Sequence, residues 1–563
     1  MIDMRRSFNY RVWAVAASGF FTDSYNLFAT NTTLPSIAYV FWPNELKTGR
    51  DTLINAMTIL GSILGQIAFG YFADKYGRTR LYGLELIIVV FSTIGVASCS
   101  TGYSDMSVLG WLCVWRFVMG IGIGAEYPLS AVITSEWSAT QQRGRMLASV
   151  FLMQPIGQIV SQIVGLGVLY GWHASNDLRT LCPTAAATQA SNFNATAPNV
   201  IECTKSIDST WRIVTGVGAA PAVIAIAFRF LIWDSGLYDL EVKRHGPRAL
   251  ANTARIYPED PDTQQEFEIH NGVYANNEAI QYTQFSRADL YRFFIEEENY
   301  KYLVGTSACW FLLDFAFFGL GMGNPRTLAK LFANKPVPES YKQNPSWNVD
   351  AWHPENTIFD VLSKTAFQSL YVVSISSLAG SIFFIFFVNR FSRRKWLIWS
   401  FGILSILFIV AGATWKPLFE KKGRFFSIVL IALCHFAFNA GANTLTFMIP
   451  SEIFPTTYRS FCHGISAAAG KLGSVIVLAI LNNIDAANPA TFKQTAIFVS
   501  FGGVMALGAL FAWLYIPNVQ EIVREEGGIR RMENMTLENL GQGKIMAPRD
   551  DLPIGLRERV RRR

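Results

Sequence analysis

GYFADKYGRTR, residues 70–80, closes one long apolar run and leads into the next, and FFVNRFSRRKW, residues 386–396, does the same in the second half of the chain. Each follows about 20 mostly apolar residues, the length a helix needs to cross the hydrocarbon core of a bilayer. The first combines glycines, an acid and basic residues at a tight turn, which lets two helices approach closely and offers a salt-bridge latch to a neighbouring helix end. One basic turn after a span is a topology signal. Two at matched positions point to a duplicated unit.

On either side of these turns, twelve apolar windows lie at roughly 11–33, 52–73, 81–99, 107–130, 146–170, 211–232, 302–322, 366–388, 395–415, 425–449, 461–482 and 492–516. The hydrophilic segment 233–300 separates the sixth from the seventh. The expected organisation is a six-helix bundle over 1–232, a central loop over 233–300, a second six-helix bundle over 301–517 and a tail over 518–563. Composition agrees: 563 residues that are 51% hydrophobic, 14% aromatic and only 16% charged suit a polytopic all-α membrane protein better than a soluble domain. The first window is too long for a removable signal peptide and lacks a small-residue cleavage site, so it is expected to stay as the first span.

Arg5, Arg6 and Arg11, then Lys75, Arg78 and Arg80, then Arg143 and Arg145, then Arg390, Arg393, Arg394 and Lys395 all fall on one face. The positive-inside bias makes that face cytoplasmic, together with both termini and the central loop. KPLFEKKGR, 416–424, is a basic loop on the other side and runs against the trend. The outer loop 171–210 carries Cys182 and Cys203, which an oxidising exterior allows to pair, and a glycosylation sequon, Asn194-Ala195-Thr196. Matching tripeptides at Asn31 and Asn534 fall where no glycosyltransferase reaches. The other five cysteines lie in spans and read as packing.

Several chemistries are excluded. No GxxxxGK[ST] loop supports ATP-driven pumping, the six His are scattered, and no CxxC pair occurs, so neither metal nor cofactor is expected. No nucleophile can be assembled with a nearby base, which argues against an enzyme. The net charge of +7 is accounted for by the basic loops and the tail RERVRRR, suited to anionic lipid headgroups and not to nucleic acid. The glycines of GIGIG, 120–124, lie inside a span and read as close helix packing rather than as a nucleotide loop.

Charges inside the windows are the functional signal. An ionised acid at mid-membrane costs at least about 2.5–3.5 kcal/mol on insertion scales, so it persists where it faces a cavity, finds a partner or is protonated. Asp23 in GFFTDSYNLF, Glu126 in GAEYPLSAVITSEW and Asp314 in CWFLLDFAFF fit that description. Lys471 in GISAAAGKLGSVIV is the mid-membrane cation, and small neighbours leave room for Asp314 to be its partner. Glu85 in LYGLELIIVV and Arg116 in VWRFVMG form a further pair of opposite sign in spans 3 and 4. His463, beside Arg459, reads either as a proton relay or as a residue packing the end of the helix.

At this point the motifs carry a family resemblance. GYFADKYGRTR resembles the loop signature of the major facilitator superfamily, and RFVMGIGIGAEYPLSAVITSEW resembles the fourth-span signature of its phosphate:proton symporters. The likeness continues through FLMQPIGQ, WFLLDFAFFG and NTLTFMIPSEIFPTTYRSFCHGISAAAGKLG, and so covers nearly all the membrane portion. It implies the twelve-helix major facilitator fold in two pseudo-symmetric six-helix bundles. It also implies that Tyr127, Gln154, Trp310, Asp314, Asn443 and Lys471 line a phosphate site, that Asp23 and Glu126 lie on the proton path, and that Glu85 and Arg116 are a charged pair beneath it. The residue types suit such a site, because a compact anion with several acceptor oxygens needs a positive charge and neutral donors. Binding it beside carboxylates requires some of them to be protonated, which ties substrate to protons.

Three positions depart from the family pattern. Glu126 stands where relatives have Asp, which carries its carboxylate about 1 Å further into the cavity. Phe318 stands where a Tyr is usual one turn after the span 7 acid, and Asn26 where a second span 1 acid is usual. IWDSGLYDLEVKRHG after span 6 lacks the superfamily's proline-rich signature, and 323–365 reads as a long irregular outer loop. The expected function is proton-coupled import of inorganic phosphate across the plasma membrane. The alternatives are an organophosphate such as a glycerophosphodiester, another organic anion, an exporter, or a nutrient receptor that binds without turnover.

Overall fold

The computed structural model describes residues 10–46, 49–102, 106–138, 142–190, 193–229, 287–296, 298–333, 344–350, 352–420, 424–483, 491–517, 523–526 and 529–532. Most of the central loop and of the tail, with the tripeptide at Asn534 and RERVRRR, therefore lies outside the described residues.

Ten helices among the described residues are long and apolar enough to cross a membrane. They are Arg50–Tyr76 (span 2), Val108–Glu136 (span 4), Arg143–Asn176 (span 5), Pro198–Arg229 (span 6), Tyr300–Gly321 within Tyr300–Ala333 (span 7), Ile358–Phe387 (span 8), Arg393–Trp415 (span 9), Phe425–Ile453 (span 10), Arg459–Asn482 (span 11) and Gln494–Tyr515 (span 12). The shorter apolar helix Leu84–Ala97 is span 3. Span 1 is Tyr10–Phe28, carried on after Ala29 by Thr30–Phe41. Its mixed composition does not leave the polar residues in lipid: Thr22, Asp23, Ser24 and Asn26 are all buried.

Several helices run well past the apolar windows. Span 1 continues to Phe41, span 5 to Asn176, and span 6 starts at Pro198, so much of 171–210 is helical. The segment 323–365 is only partly irregular, because span 7 carries through to Ala333 and span 8 begins at Ile358 behind a capping box formed by Thr357 and Asp360. Helices can outlast the hydrocarbon layer because capping and protein contacts, not lipid, satisfy their ends. Within the tail, Val523–Glu526 and Ile529–Met532 form a short antiparallel strand pair.

Helix packing explains the glycines of span 4. A Cβ built on Gly120 or Gly124 would overlap the carbonyl oxygens of Thr58 or Ser62 on span 2, and one on Gly61 or Gly65 would overlap those of Phe117 and Ile121. Two backbones meet there without side chains between them, the small-residue packing that membrane helices use in place of a hydrophobic drive.

The matched turns make equivalent contacts. Arg78, after span 2, pairs with Asp74 (3.2 Å) and with Glu136 (3.1 Å) at the end of span 4; Arg393, before span 9, pairs with Glu452 (3.4 Å) at the end of span 10. Spans 4 and 10 occupy corresponding places in the two sets of six helices. The network then crosses between the sets. Arg459 reaches Glu136 (3.5 Å), and Asp74 accepts the backbone N–H groups of Ser460 (3.2 Å) and Phe461 (2.8 Å) at the start of span 11. A carboxylate on exposed helix N–H groups is favoured by both hydrogen bonding and the helix dipole.

The opposite face is tied as well. Cys182 and Cys203 form a disulfide, packed with Tyr39, Trp347 and Phe359. Ala185 N–H donates to Asn356 O (3.0 Å), Trp347 Nε1–H to Pro43 O (3.1 Å), and Arg179 pairs with Asp360 (3.1 Å). The loop between spans 5 and 6 is thereby laid across the segment before span 8. Asn194 is exposed within the disulfide-closed loop, its side chain accepting from Thr196, whereas Asn31 sits in the helix Thr30–Phe41.

Candidate functional site

Two charged clusters lie within the helices, and one residue pair connects them. The first is built on spans 7 and 11. Lys471 Nζ stands 3.0 Å from Asp314 Oδ2, both side chains almost fully buried, and Ser474 Oγ–H lies 3.5 Å from the same oxygen. A π-helical turn in span 10, Phe438–Ala442, ends just before Asn443, whose Nδ2 donates to Asn439 Oδ1 (3.3 Å). Such turns rotate the residues that follow and recur at functional sites.

Lys471 Nζ also lies over two rings, Tyr127 from span 4 at 5.2 Å and Phe318 from span 7 at 4.5 Å. The cation therefore sits between the two sets of six helices, held by a carboxylate and by aromatic faces. Trp310 packs against Tyr127 (6.4 Å between ring centroids) and edge-on to His463 (5.4 Å). Gln154, on span 5, is buried with Oε1 unpartnered among the described residues. Phe20, Phe151 and Phe447 pack in tilted and edge-on pairs at 5.3–5.4 Å centroid distances beneath this layer, and by their positions along spans 1, 5 and 10 they close it toward the face bearing the basic turns.

On the other side, a cavity is lined by Asn31, Asn55, Gln158, Phe318, Ser369 and His435 among others. None of the six expected phosphate-site residues lines it. Two of its walls lie one turn outward from them, Gln158 after Gln154 and Phe318 after Asp314, so the ring of Phe318 is the partition between the cavity and the Lys471 ammonium.

The second cluster belongs to spans 1, 3, 4 and 6. Glu126 Oε2 accepts from Arg229 Nη2 (2.6 Å), and Tyr82 Oη–H lies 3.5 Å from Glu126 Oε1. Arg229 Nη1 pairs with Glu85, whose carboxylate also accepts the N–H of Gly83 (2.8 and 3.0 Å), and the guanidinium lies 3.8 Å over the Tyr82 ring. Asp23, from span 1, is within electrostatic reach of both Arg229 and Glu126, and neither of its oxygens has a hydrogen-bond partner among the described residues. Glu126 and Tyr127 are neighbours in sequence, about 100° apart around the helix, so span 4 presents one to each cluster.

Arg116 is not Glu85's partner. The cation that Glu85 meets is Arg229, at the end of span 6. Spans 3 and 4 run antiparallel, Glu85 and Glu126 share one guanidinium, and Arg116 lies ten residues before Glu126, about 15 Å away along the axis. Arg229 itself escapes a reading of the sequence. In AIAFRFLIW it falls three residues before the end of an apolar window, where an Arg ordinarily snorkels to the surface. Its burial is the unexpected fact. His463 is buried too, its Nε2 2.9 Å from Phe447 O, and it packs between spans rather than ending a helix.

A family model described as sugar (and other) transporter matches residues 12–296 and 357–526. The chain belongs to that family. It is a membrane transporter with the twelve-span, all-α major facilitator fold, not an enzyme. The transporter is 34% identical to the repressible high-affinity phosphate permease of Neurospora crassa, over 83% of this chain and 76% of that one. It is 31% identical to the inorganic phosphate transporter PHO84 of Saccharomyces cerevisiae, over 91% and 83%. Among solved structures, the major facilitator superfamily proton:xylose symporter XylE bound to 6-bromo-6-deoxy-D-glucose superposes with a TM-score of 0.67 at 17% identity, covering 91% of the transporter and 97% of that chain. That likeness is one of fold.

Proposed function

We infer that the transporter imports inorganic phosphate together with protons by alternating access, the helices over 1–232 and 301–517 rocking about the Lys471 layer. The observation that carries this reading is the Lys471–Asp314 pair under the Tyr127 ring, a buried cation with neutral donors at the meeting of the two sets of helices. It is supported by two fungal relatives named for phosphate. Phosphate would displace the Asp314 carboxylate from part of the ammonium, with Tyr127, Gln154, Trp310 and Asn443 as neutral donors. Asp23 and Glu126 would hold the coupled protons. The face bearing Arg78 and Arg393 would be cytoplasmic, with both termini, in the plasma membrane.

A second cargo is favoured by one observation. Phe318 offers no hydroxyl and sits between the Lys471 ammonium and the outer cavity, a wall suited to the organic part of a phosphodiester. Uptake of radiolabelled phosphate into proteoliposomes under an inward proton gradient separates the two. Saturable uptake that a protonophore abolishes and glycerophosphodiesters leave unchanged is expected. Uptake of the diester with no uptake of phosphate would replace the cargo.

A further inference from the structure

Among the described residues, the second cluster contains more acids than its one cation can balance. Asp23, Glu85 and Glu126 converge on Arg229, and Tyr82 is the remaining titratable group against them. With all three acids ionised, a fully buried site would hold two uncompensated negative charges, which a membrane interior does not sustain. Protons must make up the difference, and the geometry differs among the acids. Glu85 accepts from Arg229 and from the Gly83 N–H, and Glu126 from Arg229 with Tyr82 beside it, whereas Asp23 accepts from nothing described. Donors facing Glu85 and Glu126 favour their charged forms over that of Asp23. Asp23 is the seat left for a proton.

Span 1 is shaped to bring Asp23 there. One turn earlier stands Gly19, where an added Cβ would overlap Arg229 Nη2 and the carboxylate of Glu126. The guanidinium fills the space that a side chain would occupy, and its planar fork can serve two carboxylates at once. We propose that Arg229 is the positioning residue that makes the two proton-path acids exchange roles: with a proton on Asp23 it pairs with Glu126, and when Asp23 loses that proton it shifts toward Asp23 and frees Glu126 to be protonated. Span 4 carries the consequence directly, because Tyr127, next to Glu126, faces the Lys471 ammonium. Proton occupancy on span 1 is thereby felt at the anion site through a charge on span 6.

The inference rests on the reading of the protein as a proton-coupled phosphate transporter, and its test keeps the two apart. Full-length wild type, Arg229→Gln and Arg229→Lys are reconstituted in proteoliposomes. Each is assayed for phosphate accumulation under an inward proton gradient over a pH series, and for phosphate–phosphate exchange without a gradient. Arg229→Gln is expected to lose accumulation by about 5- to 150-fold, the span of an ordinary coupling free energy, while exchange persists. Arg229→Lys, which keeps the charge but not the fork, is expected to recover part of the accumulation with a displaced pH profile. If Arg229→Gln does not reach the membrane, the pH profile of Arg229→Lys decides: displaced supports the role, unchanged overturns it. Wild-type accumulation and pH profile in Arg229→Gln, or loss of exchange in both variants, would make Arg229 a structural ion pair. Wild type that neither exchanges nor accumulates phosphate would remove the phosphate reading itself.

Discussion

Buried charges govern this protein residue by residue. Lys471 and Asp314 each keep the other tolerable in a site almost closed to water. Removing one partner strands the other, a change that costs on the order of 3–5 kcal/mol for buried pairs, whereas removing both together is far milder. Asp314→Asn and Lys471→Ala are each expected to abolish phosphate uptake. The double variant should recover much of the lost thermal stability in detergent and none of the transport. Normal uptake in both single variants would remove the pair from the anion site. The pair is legible in the sequence because a lone acid and a lone base inside apolar windows have few other reasons to exist. Arg229 is not legible, since Arg near a window's end has a cheap alternative in the headgroup layer.

At the level of helices, glycine decides how near two spans come. Gly120 and Gly124 lie on the Thr58 and Ser62 carbonyls, so a single methyl has nowhere to go without separating spans 2 and 4. Gly120→Ala should destabilise the purified transporter by an amount typical of overpacking, about 1–3 kcal/mol, read as a lower thermal midpoint. Gly503, whose added Cβ would meet nothing within 4 Å, is the control, and Gly503→Ala should leave the midpoint in place. Equal effects at the two positions would mean that close packing does not hold these spans. The windows place these helices well, but not their ends. Span 7 reaching Ala333 and span 6 starting at Pro198 depend on caps and on protein cover beyond the apolar stretch, which hydropathy does not register.

Over the whole molecule, the two sets of helices are tied at both faces, and the ties are unequal. The network of Arg78, Asp74, Glu136 and Arg459 is buried. On the opposite face the Arg179–Asp360 pair leaves Arg179 60% exposed, and an exposed pair contributes about 0–1 kcal/mol. Opening at the basic face is therefore the step that a single substitution should ease most. Glu136→Gln is expected to speed thiol labelling of Cys462, a free and buried cysteine beside Ser460 at the start of span 11. Asp360→Asn should leave the labelling rate unchanged. Unchanged labelling in Glu136→Gln would show that the buried network does not set access from that face.

Membrane class, the duplicated plan, and the acids and lysine that cannot rest in lipid can all be read from the chain of residues alone. Each follows from transfer free energy, which is a property of residue type and local spacing. Partnership was decided only by the tertiary structure. That Glu85 meets Arg229 and not Arg116, that Asp23 finds no donor among the described residues, and that Phe318 stands between Lys471 and the cavity all depend on the rotation and depth of helices far apart in the chain. Hydropathy records how strongly a segment prefers lipid; it does not record which face of one helix meets which face of another.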